Sequence, residues 1–232
     1  MFKRAKTISW IAGLFFALSG FLAGGALAGI STTKHNLSSS GTGTIKSTDQ
    51  PEICIFCHTP HDAIKNANIP LWNHTLSTTA SYGVYASPTM TATDTTDVGG
   101  VTAATAAVSN LCLSCHDGTV AINNFKNPSN MNPVTTMVGT TVGMLPVGNS
   151  NLGTDLTNDH PVNFTYNTTL ATADGFLVNP VDATGSGLSN GLKLFSSKVQ
   201  CASCHDPHTS AQGAFLRASM NGSTLCLSCH SK

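Results

Sequence analysis

All eight cysteines of this 232-residue chain fall into four copies of one short pattern. The copies are Cys54-Ile55-Phe56-Cys57-His58, Cys112-Leu113-Ser114-Cys115-His116, Cys201-Ala202-Ser203-Cys204-His205 and Cys226-Leu227-Ser228-Cys229-His230. A C-x-x-C-H run is the attachment signature of c-type haem. Two intervening residues let both sulfurs reach one edge of a single porphyrin, and the following imidazole supplies the proximal ligand to the iron. The expected cofactors are therefore four covalently attached haem c groups, with His58, His116, His205 and His230 as proximal ligands. A lone C-x-x-C also suits a thioredoxin-like redox pair or half of a zinc site. Histidine after every second cysteine, four times over, favours haem, and a disulfide framework has no need of it.

Only 9% of the residues are charged, and Thr, Ser, Asn and Gly are abundant. Such a chain has few long apolar runs with which to offset the entropy lost on ordering its backbone. Four porphyrins are large apolar discs that can form most of a core. The expected fold is mostly loops and short helices with few short strands, wrapped around a chain of four haems and largely unfolded without them.

The chain opens with Lys3, Arg4 and Lys6, runs apolar from Ile8 through Leu27, and reaches a small-x-small ending at Ala26-Leu27-Ala28. Those features describe an export signal over residues 1–28, cleaved after Ala28 to leave 204 residues. The rival is an uncleaved anchor, because the apolar stretch approaches spanning length. Cleavage removes three of eleven basic residues and leaves eight against eleven acidic ones. No basic patch of the kind that phosphate binding requires is present, so nucleic acid is not an expected partner.

Residues 29–50 are Gly/Ser/Thr-rich and read as a flexible arm. Its His35 is either an exposed histidine without a role or one that reaches a neighbouring subunit. The cytochrome domain then spans 51–232, with haem doublets at 54–116 and 201–230. The first motif continues to His61 and the third to His208, so both read C-H-x-P-H. The second and fourth share L-C-L-S-C-H, making the whole an internal repeat. The motif starts lie 58 residues apart in the first doublet and 25 in the second, so the first carries an insertion. That insertion holds Trp72 and His74, where a packed histidine competes with a ligand and ligation is preferred. Val84 between two tyrosines suggests a short strand, and 106–115 a helix entering the second motif. Prolines, Asn and Gly between 118 and 190 point to loops and brief strands around His160.

Residues three apart share one side of a helical turn, so His58 and His61 are badly placed to clamp one iron. His61 and His208 are better assigned to other haems than their own motifs'. Five histidines, His35, His61, His74, His160 and His208, remain for four distal positions. Met90, Met131, Met137, Met144 and Met220 are the methionine alternatives. Histidine on both faces predicts low-potential irons, since methionine raises the potential. It leaves no open iron for substrate, and Glu52 is the sole glutamate for acid-base work. An electron carrier is therefore expected rather than an enzyme.

The pairing of C-H-x-P-H with L-C-L-S-C-H resembles the doubled C-x-x-C-H multihaem cytochromes of metal-reducing bacteria, most closely the secreted tetrahaem kind that polymerises into filaments. The resemblance covers residues from about 50 to 232, with only the haem-linked segments specific. It implies a multihaem cytochrome c fold, haem attachment outside the cytoplasm, a continuous row of close haems and head-to-tail polymerisation in which one distal histidine comes from the next subunit. A heterologous contact of that kind does not close and gives a filament. It favours His61, His74, His160 and His208 as distal ligands, with His35 surplus or the donor across the interface. The function implied is electron transfer from periplasmic or outer-membrane cytochromes to minerals, electrodes or other cells by a secreted, extracellular filament. A soluble tetrahaem shuttle in the periplasm or at the cell surface is the alternative.

Overall fold

The computed structural model describes residues 28–66, 69–102, 105–128, 135–180 and 187–231. The expected signal, its last residue aside, and Met131 lie outside them. Helix α1 (Ala28–Ser31) and strand β1 (Lys46–Ser47) precede the first motif. Strands β2 (Ile64–Asn66), β3 (Ile69–Trp72) and β4 (Gly83–Val84) then lead to helix α2 (Val108–His116). Strands β5 (Met137–Val138), β6 (Asp155–Leu156) and β7 (Phe164–Thr165) and helix α3 (Thr168–Asp174) fill the middle of the chain. Strand β8 (Lys198–Val199) and helix α4 (Cys201–Cys204) carry the third motif. Among the described residues no helix exceeds the nine residues of α2, and every sheet has two strands. Three sheets are antiparallel, and β4 pairs with β6 in parallel. The molecule is thus built mainly of loops, with few short helices and strands.

Elements this short bury little, and among the described residues the apolar interior is split into three small clusters. Phe164, Tyr166, Leu188, Leu192, Leu194, Val199 and Ala218 form the largest, with Cys204 and Cys229 packed at its edge. Ile55, Phe56 and Ile122 form another, edged by Cys57 and Cys115. Tyr82, Val98, Leu113 and Leu156 make the third. Motif cysteines thus lie where apolar packing runs out.

The loops hold their shape by satisfying polar groups internally. Residues 29–50 show this and correct the expectation of a flexible arm. Ser38, Ser47 and Gln50 are fully buried. The Ser38 hydroxyl donates to Asn36 Oδ1 (2.7 Å), and Ser47 Oγ receives the amides of Asp49 and Gln50. Strand β1 pairs with β5, where Gly139 (φ 72°) lies so close to the Thr44 carbonyl that a Cβ would collide. The polar composition that suggested freedom instead supplies short-range caps.

Helix α3 departs from the loops expected between 118 and 190. Asn167 Oδ1 accepts the Leu170 amide at 2.9 Å, and Gly175 closes the other end at φ 76°. These are ordinary start and stop signals, eight residues apart.

Candidate haem-binding sites

Each motif forms a short helical turn or helix that is tied by hydrogen bonds to a neighbouring segment. In the first, a 3-10 turn at Cys54–Phe56, the Thr59 amide donates to Leu71 O (2.9 Å) and the Asn73 amide to Cys57 O (2.9 Å). In the third, the Asp206 amide donates to Phe215 O (2.7 Å) and the Arg217 amide to Cys204 O (2.8 Å). The fourth is held by the Tyr166 hydroxyl, whose single hydrogen is shared between Val178 O (2.6 Å) and Cys229 O (3.0 Å). The second lies within α2, which touches α4. Ser109 Oγ donates to Gln200 Oε1 (2.6 Å) and accepts the Cys201 amide (3.0 Å), bringing Cys112 within hydrogen-bonding reach of Cys201.

No disulfide joins any of the eight cysteines. Burial pushes Cys57 up to about 12 and Cys229 up to about 11, and raises Cys115 for the same reason. Cys201 differs, because the hydrogen bond with Cys112 draws it down. Around Cys57, Cys115 and Cys229 an apolar surrounding that resists thiolate formation suits a neutral thioether better than a zinc thiolate or an exchanging disulfide. Among the described residues no three His, Cys, Asp or Glu side chains gather as a bare metal ion would need.

Histidines meet in pairs instead. His58 and His208 have ring centres 6.2 Å apart with planes 11° from parallel. For His35 and His116 the values are 6.1 Å and 71°, and for His160 and His230 they are 6.4 Å and 72°. Direct ring contact is far closer, as His35 on Phe215 shows at 4.1 Å. An imidazole nitrogen holds a metal at about 2.0–2.1 Å, so with the ring radius added, two imidazoles sharing one metal have centres about 6.2 Å apart. Each pair joins one motif histidine to one histidine from elsewhere, and the spacing fits an iron between them.

The second ring nitrogen supports the same assignment. A ligating imidazole is fixed by a hydrogen bond from the nitrogen that does not bind metal. His35 Nδ1 donates to Pro207 O (3.2 Å), His116 Nδ1 to Ser150 O (2.6 Å) and His160 Nδ1 to Pro161 O (2.9 Å). His205 Nδ1 donates to Ala214 O (2.9 Å), and His208 Nδ1 to the Asp206 carboxylate (3.2 Å). Burial also holds His35 below its ordinary pKa, in the neutral form that binds metal.

His74 departs from the expectation of ligation. It is fully buried, its Nδ1 meets Ser114 Oγ (3.1 Å) and its Nε2 donates to Ala121 O (3.0 Å). With both nitrogens engaged inside the protein it has none left for iron, and it packs beside Cys115 Sγ. Its place opposite a motif histidine is taken by His35. The glycine-rich composition around His35 concealed this. The clues were Phe215, on which the ring stacks, and Gly29, where a Cβ would collide with the His208 carbonyl. Of the methionine alternatives, Met137 packs on the Ile55 cluster and Met220 is 54% exposed. His61 is exposed, and its imidazole has no hydrogen bond or ring partner among the described residues. His205 likewise faces no second histidine there.

Residues 194–232, which hold the third and fourth motifs, match the family described as the doubled CXXCH motif. No curated protein matches the chain. The match indicates covalently bound c-type haem and an electron-transfer cytochrome.

Proposed function

We propose that this protein carries electrons along four covalent haem c groups, each held between two histidines, as the repeating subunit of an extracellular filament. Each haem iron supplies a one-electron ferric–ferrous couple. The chain's own residues fix where the four sites lie and keep substrate away from them. Cys112 next to Cys201 puts the second and third attachment points side by side. His208 and His205 stand three residues apart and serve the first and third sites. Histidine on both faces leaves no position for substrate, so the protein acts as a conductor and not an enzyme.

The observation that carries the filament is the remainder left by the three pairs. His205 is the one motif histidine without an opposing imidazole among the described residues, and its ring is already oriented by Ala214 O. His61 is the exposed imidazole left over. Leu71, whose carbonyl accepts the Thr59 amide two residues from His61, is 54% exposed, an apolar side chain in a position suited to contact. His61 of one copy placed on His205 of the next completes the fourth site. The same contact repeats without closing. Export through the amino-terminal signal puts the filament outside the cell, fed by periplasmic or outer-membrane cytochromes and discharging to minerals, electrodes or other cells.

Imaging of the secreted material at side-chain resolution tests this. Filaments with His61 and His205 on one iron across each contact are expected. Monomers at high concentration with two histidines on every iron would reject the filament and leave a soluble shuttle.

A further inference from the structure

Among the imidazoles of the motifs and of the three pairs, five have Nδ1 on a defined acceptor, and four of those acceptors are backbone carbonyls. The fifth differs: His208 Nδ1 lies 3.2 Å from Asp206 Oδ1. The carboxylate is held from several sides. Its Oδ1 also accepts the His208 amide (3.1 Å), and its Oδ2 lies 3.1 Å from Arg217 Nη1. Arg217 is itself fixed by donating Nε–H to Ala202 O (2.8 Å), and its side chain is only 12% exposed. The Asp206 amide is tied to Phe215 O. Rotating the carboxylate away from His208 would therefore break three contacts. In the first motif the matching residue is Thr59, whose hydroxyl donates to the His61 carbonyl (2.9 Å).

A carboxylate that accepts from a ligating histidine raises the basicity of the metal-binding nitrogen. A more basic axial ligand favours ferric over ferrous iron, and hydrogen bonding around the ligand is one of the main determinants of a haem's potential. Carbonyl acceptors act in the same direction, but without a full charge.

We propose that Asp206 is a positioning residue that turns His208 toward His58 and makes the His58–His208 site the lowest-potential site of the row, with Arg217 moderating its charge. This rests on the reading that His58 and His208 share one iron. Its consequence is an uneven row in which an electron resides least at the first site.

The test is a redox titration of purified, haem-loaded protein, followed by absorption, for the parent and for Asp206→Asn, Asp206→Glu and Arg217→Gln. Intact mass counts the covalent haems in each. In Asp206→Asn the lowest of the four midpoints should rise as the ferric preference falls about tenfold, equivalent to about 59 mV for one electron. The other three should move less. Asp206→Glu should stay near the parent, and Arg217→Gln should shift the same midpoint downward, a sign reversal that loosened packing does not produce. An unmoved lowest midpoint in a four-haem Asp206→Asn protein, an equal shift of all four, or shifts of the same sign in Asp206→Asn and Arg217→Gln would overturn the role of Asp206 alone. A parent protein carrying fewer than four haems by mass would overturn the premise as well.

Discussion

The two C-H-x-P-H regions, 54–73 and 201–217, are the same unit finished in two ways. Their backbone ties correspond, with Thr59 to Leu71 and Asn73 to Cys57 in one, and Asp206 to Phe215 and Arg217 to Cys204 in the other. Leu71 and Phe215 both adopt left-handed backbone, at φ 54° and 58°. Asn73 Nδ2 donates to Ile55 O (2.7 Å) where Arg217 Nε donates to Ala202 O, the equivalent carbonyl. The difference lies in what covers each unit. The third motif is capped from within the chain, with His35 on Phe215 and Gly29 against the His208 carbonyl. The first leaves Leu71 and His61 open. The amino-terminal segment covers the Phe215 and His208 side of one unit and leaves His205 unopposed, while His61 and Leu71 of its counterpart stay exposed, the two surfaces that the proposed filament would bring together.

Replacing the two equivalent histidines should give the largest contrast. His61→Ala should abolish filaments while leaving four covalent haems and a folded chain, with one iron high-spin. His208→Ala should instead make the first iron high-spin in every isolated chain and spare assembly. The signal lost can be identified by electron paramagnetic resonance. Near-parallel imidazole planes donate into the same iron orbital and give a well-resolved rhombic low-spin spectrum. Planes near 71–72° leave two orbitals nearly equal and give a strongly anisotropic one. His208→Ala should remove the rhombic signal. Filaments formed by His61→Ala would break the comparison at its centre.

The equivalent Asn73 and Arg217 should differ next. Asn73 is fully buried and also bonds the Asn127 carbonyl (3.0 Å) and amide (2.8 Å). Asn73→Ala orphans three backbone groups and should cost about 3–4 kcal/mol. Arg217→Ala should cost about 1–2 kcal/mol, since water can reach part of what it leaves. Denaturant unfolding followed at the haem absorption band measures both, and equal losses would mean that the two anchors are not differentiated.

The covalent part of the site was legible in the sequence because it is local: C-x-x-C-H needs no tertiary information. That the His208 ring would face away from its own motif was also suggested by the three-residue spacing, and the ring lies opposite His58. The choice between His35 and His74 was not. Both are single histidines, and what separates them is whether the folded chain engages one ring nitrogen or two. His74 Nε2 finds Ala121 O 47 residues away and His35 Nδ1 finds Pro207 O 172 residues away, contacts that no local pattern encodes. The loop character of the fold followed from composition. Its order did not, because Ser38, Ser47 and Gln50 read as solvated residues until their hydrogen-bond partners are placed.

His74 and His35 give the third test. His74→Ala should cost about 2 kcal/mol through lost hydrogen bonds and a buried void, while every ligand signal stays in place. His35→Ala should do the reverse, removing one anisotropic low-spin signal with a smaller effect on stability. A ligation change in His74→Ala would restore it as a ligand and unseat His35.

Leu71 and Phe215 provide the smallest and most discriminating effect. Phe215 stacks on the His35 ring, so Phe215→Ser should loosen His35 in the isolated chain and broaden the signal assigned to it. Leu71 touches solvent over half its surface, and Leu71→Ser should change isolated-chain stability by less than about 0.5 kcal/mol. Its effect should appear only on assembly, as a higher protein concentration needed for filaments. If Leu71 were merely an exposed side chain, that concentration would not move. If the open unit is covered by a second copy, as the third motif is by residues 29–35, the loss of apolar contact beside His61 must weaken the same step that His61 controls.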